Sequence, residues 1–151
     1  MQQFTLQEQT LLFFNSLRYM DKLYDEYAKT VGLTYQGLNV LNVLYETPDN
    51  CTQKLISERI HLPKQSVNVI IRSLWEQGYI EMKELDSDRR NKTIRLSASG
   101  REYADRIVGR LLAIEGDVFA RLTYGQRQEM IELADRIRQE LEDWVKKEQT
   151  P

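Results

Sequence analysis

Residues 79–97, YIEMKELDSDRRNKTIRLS, decide the fold of this 151-residue chain. Residues 79–84 alternate apolar and polar side chains, residues 93–96 do the same, and the residues between them are mostly polar. A period of two predicts two short strands, here joined by a charged turn over residues 85–92. The period is 3.6 both before and after this stretch, so the sequence predicts one hairpin in an otherwise helical chain.

Four helices are predicted before the hairpin, each with a capping or terminating residue at its ends. They lie at residues 6–31 behind a Thr5–Glu8 capping box, between Thr34 and Thr47, at residues 52–60, and between Pro63 and Gly78. After the hairpin, Ser97 caps a fifth helix that continues to Leu122. Thr123 and Gln126 form the capping box of a last helix. Gly109 and Gly116 within the fifth helix predict a bend or a close packing contact.

This order predicts a mainly α fold with a small two-stranded β-wing, because two short helices followed by a hairpin form a winged helix-turn-helix. Residues 33–97 are expected to form the DNA-binding region. Residues 1–32 and 98–151 are expected to form a helical dimerisation region of the same compact chain. Their apolar stripes extend over several helical turns and must be covered. Either the stripes of a second copy cover them in a dimer, or the helices of one chain cover one another in a monomeric bundle.

The charge distribution favours a nucleic-acid partner. The net charge is −2, but residues 51–95 hold nine Lys and Arg against six Asp and Glu, so this segment is +3 and the remainder −5. A basic middle between acidic ends indicates one face for phosphates. No membrane span or signal peptide is predicted, and a single cysteine gives no disulfide framework, so a cytoplasmic protein is expected.

Enzymatic chemistry is not indicated. The sequence has no Gly-rich phosphate loop, no Cys and His spacing for a metal, and no nucleophile beside a histidine base. The only histidine, His61, lies in a turn, so no metal site and no cofactor are expected. Cys51 could gain thiolate character at a helix N-terminus or could be a semi-buried, inert thiol. The alternative to a DNA-binding protein is a helical protein-interaction module that keeps the winged fold without binding DNA.

Three segments carry a resemblance to a known family, and one of them, residues 52–55 (TQKL), resembles the start of the helix before the recognition helix. Asp88-Arg89-Arg90, continued by residues 92–100 (KTIRLSASG), resembles the wing and following helix of the MarR family of transcriptional regulators. Residues 62–67 (LPKQSV) with Leu74 and residues 78–80 (GYI) resemble the family's recognition helix and the start of its wing. Pro63 departs from the Ser often found there. The resemblance covers essentially the whole chain and implies a homodimer on an inverted-repeat operator in double-stranded DNA, most simply as a repressor.

The predicted DNA contacts follow from side-chain chemistry. The candidates on the fourth helix are Lys64, Gln65, Ser66, Asn68, Val69 and Arg72. The amides of Gln65 and Asn68 can form hydrogen bonds with the edge of adenine, and Val69 can contact the methyl group of thymine. Lys64 and Arg72 are expected to bind phosphates. In the wing, Arg90 is expected in the minor groove, and Arg89, Lys92 and Arg95 on phosphates. Asp88 is expected to brace the wing turn.

The resemblance also implies an effector site. Members of this family often release DNA when a small aromatic or phenolic molecule enters a crevice beside the dimer helices. The residues that could line it are Phe13, Phe14, Leu17, Tyr24, Tyr45 and Phe119, but each taken alone is more simply explained as an ordinary core residue. The sequence names neither the effector nor the operator.

Overall fold

The computed structural model describes residues 3–85 and 88–149, and it describes no side chain between residues 85 and 91. The elements are α1 (Leu6–Thr30), α2 (Tyr35–Glu46), α3 (Gln53–Ile60), α4 (Lys64–Glu76), β1 (Ile80–Leu85), β2 (Asp88–Leu96), α5 (Ala98–Ala104), a π-helical turn (Asp105–Gly109), α6 (Arg110–Ala120) and α7 (Tyr124–Glu148). The prediction of a mainly α fold with a two-stranded wing is confirmed. The chain divides into two compact units, Met1–Gly109 and Arg110–Pro151. The predicted division by role stays a prediction.

Hydroxyl side chains fix where the helices begin. The backbone N–H of Glu8 donates to Thr5 Oγ1 at 3.3 Å, and the Glu8 carboxylate accepts from the backbone N–H of Thr5 at 2.8 Å. These bonds favour the charged carboxylate and lower the pKa of Glu8. The same reciprocal arrangement joins Thr123 and Gln126 at the start of α7. Both predicted capping boxes are confirmed.

The core of Met1–Gly109 includes a cluster between α2, α3, α4 and the hairpin. Its buried side chains are Val40, Val43, Leu44, Cys51, Ile56, Val67, Ile71, Leu74, Ile80 and Ile94. On α4, Val67, Ile71 and Leu74 are buried as predicted, whereas Ile70 is only partly buried. Burying a side chain of this size contributes roughly 1.5–3 kcal/mol, so this cluster holds α4 firmly against the hairpin.

The hairpin is longer than the sequence predicts. β2 begins at Asp88 rather than at residue 93, so the predicted turn over residues 85–92 was too long. Met82 pairs with Ile94 and Glu84 with Lys92, and the register shifts between Glu84 and Leu85. Strand pairing uses backbone groups, so the ladder continues through polar residues after the alternation of apolar side chains has ended.

A short third segment joins the hairpin from the chain before α3. Thr52 forms an isolated antiparallel bridge with Thr93, and the backbone N–H of Ile94 donates to the carbonyl oxygen of Cys51 at 2.7 Å. The side chain of Thr52 also caps α3 by accepting from the N–H of Leu55. The start of α3 is therefore fixed to the hairpin, a connection that the sequence pattern did not predict.

A close backbone approach connects the end of α4 to α5. Gly100 lies against the carbonyl of Tyr79 so closely that a Cβ there would be 1.8 Å from the oxygen. The Ser97 hydroxyl donates to the carbonyl oxygen of Gly78 at 2.6 Å and caps α5 by accepting from the N–H of Gly100 at 3.0 Å. The rings of Tyr79 and Tyr103 stack with their centroids 4.2 Å apart. Only glycine fits at position 100.

The predicted fifth helix is interrupted. Residues Asp105–Gly109 form a π-helical turn between α5 and α6, so a single regular helix from Ser97 to Leu122 was wrong. The Tyr27 hydroxyl donates to the carbonyl oxygen of Ile107 at 2.7 Å and so satisfies a group of the irregular turn. A Cβ at Gly109 would be 3.2 Å from the Tyr45 hydroxyl, which accounts for a glycine there by close packing.

The unit Arg110–Pro151 contains α6 and α7. Neither helix has a fully buried residue among those that the structure describes. Large apolar side chains remain exposed along both helices: Leu112, Ile114, Val118, Phe119, Tyr124, Met130, Ile131, Leu133, Leu141, Trp144 and Val145. Residues 11–23 of α1, in the other unit, likewise expose Leu11, Leu12, Phe13, Leu17, Met20 and Leu23.

Across the described ranges, none of the helices combines the length and the apolar character that a membrane crossing requires.

Candidate nucleic-acid interface

A groove of about 420 Å³ lies between the start of α3, one face of α4 and the hairpin. The lining residues are Thr52, Gln53, Lys54, Lys64, Asn68, Ile71, Arg72, Trp75, Met82, Lys92 and Ile94. Lys64, Asn68, Arg72 and Trp75 follow one another at intervals of three or four, so they occupy one face of α4. Lys92 and Ile94 are two positions apart and therefore lie on the same face of β2, and Met82 lies opposite Ile94 on β1. The fold thereby brings three separate stretches of sequence to one surface.

The lining of this groove is positively charged. Among the residues that the structure describes, it contains Lys54, Lys64, Arg72 and Lys92 and no aspartate or glutamate. Lys54 pairs with Glu58 at 3.8 Å and Arg72 with Glu76 at 3.0 Å, both on the solvent-exposed surface of their own helices. Exposed pairs of this kind contribute at most about 1 kcal/mol, so a phosphate could displace them. The groove therefore presents a cationic surface suited to phosphate oxygens.

The turn between α3 and α4 is held by hydrogen bonds to its backbone. His61 adopts a left-handed conformation with φ 54°, and the Ser57 hydroxyl donates to the carbonyl oxygen of Leu62. The Gln53 amide donates to the carbonyl oxygen of Lys64 at 2.8 Å, which joins the first turns of the two helices. Pro63 precedes α4 without a side-chain cap. The position of α4 is thus fixed by α3 and by the core rather than by a capping serine.

The predicted residues of α4 divide into two groups. Lys64, Asn68 and Arg72 line the groove. Gln65 and Val69 lie outside its lining but are exposed on the same helix, Val69 by 69%. Ser66 is half-buried. α4 consequently offers both polar and apolar side chains to a partner, with Ser66 the least accessible of the six candidates.

The predicted wing residues are also separated by the structure. Lys92 lines the groove, whereas Arg95 projects from the opposite face of the hairpin and pairs with Glu81 at 2.8 Å. Arg95 belongs to a second groove of about 520 Å³, whose lining includes Asp49, Glu81 and Glu84. The side chains of Asp88, Arg89 and Arg90 lie outside the described residues, so their roles stay predictions.

Sequence reasoning missed part of the groove. It did not assign Thr52, Gln53, Lys54, Trp75 or Met82 to the interface. Lys54 belongs to the basic segment 51–95, which was the available signal for it. Trp75 continues the exposed face of α4 one turn beyond Arg72, so helical periodicity could have found it.

The six candidate effector residues remain a prediction. Phe13, Leu17 and Phe119 are exposed and Phe14, Tyr24 and Tyr45 are half-buried. The Tyr45 ring lies 4.2 Å from the guanidinium carbon of Arg101, and a hydrogen bond to Asp105 raises the pKa of Tyr45. Neither of the two grooves described above contains any of the six.

Cys51 is fully buried in the core, and this burial raises the pKa of its thiol. Desolvation disfavours the thiolate, so of the two interpretations of Cys51 the structure supports the inert thiol. Within the described part of the chain, no cluster of three or more His, Cys, Asp and Glu side chains could hold a metal ion.

Comparisons with known proteins agree on one family. Residues 31–91 match the model of the MarR family. SarZ, an HTH-type transcriptional regulator of Staphylococcus epidermidis, is 30% identical over 91 residues, which are 60% of this chain. The match spans 61% of the length of SarZ.

Solved structures extend the similarity to almost the whole chain. A MarR family regulator from Neisseria meningitidis superposes with a TM-score of 0.79 at 26% identity and covers 93% of this chain and 99% of its own. MepR from S. aureus, in its DNA-binding conformation, superposes with a TM-score of 0.74 at 21% identity and covers 91% and 99%. The MepR likeness, at that identity, concerns the fold alone.

The paired helices α3 and α4, the hairpin packed against them and the groove between these elements define a winged helix-turn-helix protein. Together with the match to the MarR family model over residues 31–91, the SarZ alignment and the Neisseria structure, they show that this chain is similar to MarR-type regulators.

Proposed function

We propose that this chain is a dimeric transcriptional regulator that binds double-stranded DNA through one winged helix-turn-helix in each subunit. The groove between α4 and the hairpin carries the proposal, because the described residues of its lining include four cations and no carboxylate. Contacts between cations and phosphates supply much of the affinity of such proteins for DNA. SarZ is described as a transcriptional regulator, and MepR has been solved in complex with DNA, which supports the same role here.

Sequence-specific binding is assigned to α4. Gln65 and Asn68 would bond to adenine edges, and the exposed Val69 would contact thymine methyls in the major groove. Lys64, Arg72 and Lys92 would hold phosphates, and Lys54 joins them because it lies in the same groove. Arg90 is proposed for the minor groove and Arg89 for a phosphate, with Asp88 bracing the turn between them and β1.

The dimer is proposed from exposed apolar surface. α6 and α7 bury none of their described side chains fully, and residues 11–23 of α1 expose a further apolar stripe. Contiguous apolar surface of this extent marks an interaction site, and a twofold contact with a second copy would cover it. Such a dimer would place two copies of α4 in successive major grooves of an inverted repeat, with half-sites about 10 base pairs apart.

The proposal also includes repression of transcription and release of the DNA when a small aromatic or phenolic effector binds. An effector releases DNA only if it binds the DNA-incompetent state more tightly than the competent one. Titrating a panel of small phenols into the DNA complex tests this part. The proposed lining residues, Tyr24 and Tyr45 among them, are the first positions to substitute if one of the phenols releases DNA.

The direct test compares two lysines on opposite faces of the hairpin. Lys92 lines the cationic groove and Lys83 the other groove. Binding to a fluorescent random duplex of roughly 30 base pairs is measured by anisotropy at several salt concentrations. We expect Lys92→Gln to weaken binding and to lower the slope of log affinity against log salt by about one, since one phosphate contact is lost.

Lys83→Gln is the matched control, because it removes the same charge from the same hairpin. We expect its affinity and its salt slope to stay close to those of the unsubstituted chain. Equal effects of the two substitutions would show that the groove is not the phosphate surface. If the unsubstituted chain binds no duplex at low salt, DNA binding is rejected and the protein-interaction module is the better description.

A further inference from the structure

The large exposed apolar side chains of the winged region lie on two of its elements. Between Leu23 and Leu112, the large apolar residues that the structure describes as exposed are Val69, Trp75 and Met82. All three lie on α4 or the hairpin. Val69 is already assigned to base contact, whereas Trp75 and Met82, 53% and 38% exposed, have no role in the function proposed above.

Trp75 and Met82 both line the cationic groove. Trp75 lies three residues after Arg72 on the groove-lining face of α4, and Met82 lies opposite the buried Ile94 on the facing strand. The two side chains therefore form an apolar step, defined here as the exposed surfaces of Trp75 and Met82. Lys54, Lys64, Arg72 and Lys92 line the same groove. Water around a half-exposed indole is released when an apolar partner covers it, so covering this step is favourable.

We propose that the apolar step packs against deoxyribose in the backbone of duplex DNA, while the groove cations hold the adjoining phosphates. This inference rests on the proposed function and adds a contact that carries no charge. A DNA backbone alternates anionic phosphates with sugars that present C–H surfaces. Its chemistry therefore matches a groove in which cations and apolar side chains are combined, whereas the stacked bases of a duplex keep their faces covered.

The shape of a tryptophan side chain suits this role. The indole offers a flat apolar surface to a sugar, and its N–H can donate to a neighbouring phosphate oxygen. Contacts to sugar and phosphate position a protein on DNA without reading its sequence. Trp75 is accordingly a positioning residue, whose contribution is the same on every sequence.

Intrinsic fluorescence tests the contact without relying on a variant. The chain has two tryptophans, Trp75 and Trp144, and the second lies on α7. The full chain is titrated with an unlabelled random duplex of roughly 30 base pairs, while anisotropy of a labelled duplex confirms binding in parallel. We expect saturable quenching or a blue shift of the emission, and we expect Trp75→Phe to abolish most of this change, because Trp144 has no part in the contact.

Affinity measurements separate this contact from the phosphate contacts. Trp75→Ala should weaken binding by up to about tenfold and leave the salt slope unchanged, since losing an apolar contact releases no counterions. Met82→Ala should act in the same direction by a smaller factor. Thermal unfolding of each variant identifies any general loss of stability, and Lys92→Gln, which lowers the slope, is the contrasting control.

Failure of this inference is distinguishable from failure of the proposed function. If duplex DNA binds but the emission of Trp75 stays constant and Trp75→Ala binds as tightly as the unsubstituted chain, the sugar contact is wrong and the DNA-binding function stands. If Trp75→Ala lowers the salt slope as Lys92→Gln does, Trp75 acts on the cations rather than on a sugar, which also overturns the inference. If no duplex binds at all, both proposals fall together.

Discussion

The winged region and the unit Arg110–Pro151 differ in how they use apolar residues. α2, α3, α4 and the hairpin bury a contiguous cluster that extends from Val40 to Ile94. α6 and α7 have well-defined caps and long apolar stripes, yet none of their described side chains is fully buried. A helix in a folded protein is held mainly by the packing of its apolar face, so α6 and α7 require a cover that one copy of their own unit does not supply. The winged region, by contrast, completes its own core.

Two glycine substitutions sharpen this comparison and should give the largest difference. Gly100→Ala places a Cβ 1.8 Å from the Tyr79 carbonyl oxygen, whereas Gly116→Ala in α6 meets nothing within 4 Å. We expect Gly100→Ala to lower the free energy of unfolding by about 3 kcal/mol or more, because backbone must move. Gly116→Ala should raise it by about 0.5–1 kcal/mol through better helix propensity.

Denaturant unfolding at one fixed chain concentration measures both values. The essential result is that the two substitutions change the free energy of unfolding in opposite directions. A Gly100→Ala variant as stable as the unsubstituted chain would show that the junction between α4 and α5 is looser than the structure describes. Strong destabilisation by Gly116→Ala would show that position 116 is packed, contrary to its open surroundings.

A smaller effect is expected at the π-helical turn. Tyr27→Phe removes the hydroxyl that donates to the Ile107 carbonyl oxygen at 2.7 Å. A hydrogen bond contributes a net stability of about 1 kcal/mol. Because Tyr27 is half-buried, we expect Tyr27→Phe to lower the free energy of unfolding by about 1 kcal/mol or slightly more. The matched control is Tyr19→Phe, because Tyr19 is 59% exposed on the same helix. Thermal unfolding should show a lower midpoint for the first variant alone, and equal midpoints would contradict the proposed role of the hydroxyl.

Most of the fold could be predicted from local sequence signals. Capping residues such as Thr5 and Thr123, and the apolar spacing of α4, depend on neighbours within one or two turns, so the sequence predicts them well. The pairing of Thr52 with Thr93 joins residues far apart in the chain and needs a single backbone bridge, which leaves no periodic pattern. The π-helical turn ends at Gly109, where the sequence predicts a bend or a close contact, but apolar spacing does not indicate that the irregularity is a π-helical turn.

Of the groove lining, the sequence predicted three residues of α4 and, on the hairpin, Lys92. Lys64, Asn68 and Arg72 share a helix face, and helical periodicity grouped them. Lys54 and Met82 join that surface through tertiary packing, which spacing along the chain does not encode. Arg95 was assigned with Lys92 because both are basic and close in sequence. The strand register places them on opposite faces of the hairpin, and charge composition contains no information on register.

The number of chains on one DNA duplex tests the central claim most directly. Sedimentation equilibrium measures the mass of the free protein and of its complex with a duplex of roughly 30 base pairs, using a chain mass of 17.9 kDa. The account predicts two chains in the free protein and two chains on each duplex. Leu141→Glu, which puts a charge into the exposed stripe of α7, should give single chains and much weaker DNA binding. A free protein of one chain, or a Leu141→Glu variant that binds DNA as tightly as the unsubstituted chain, would contradict the account.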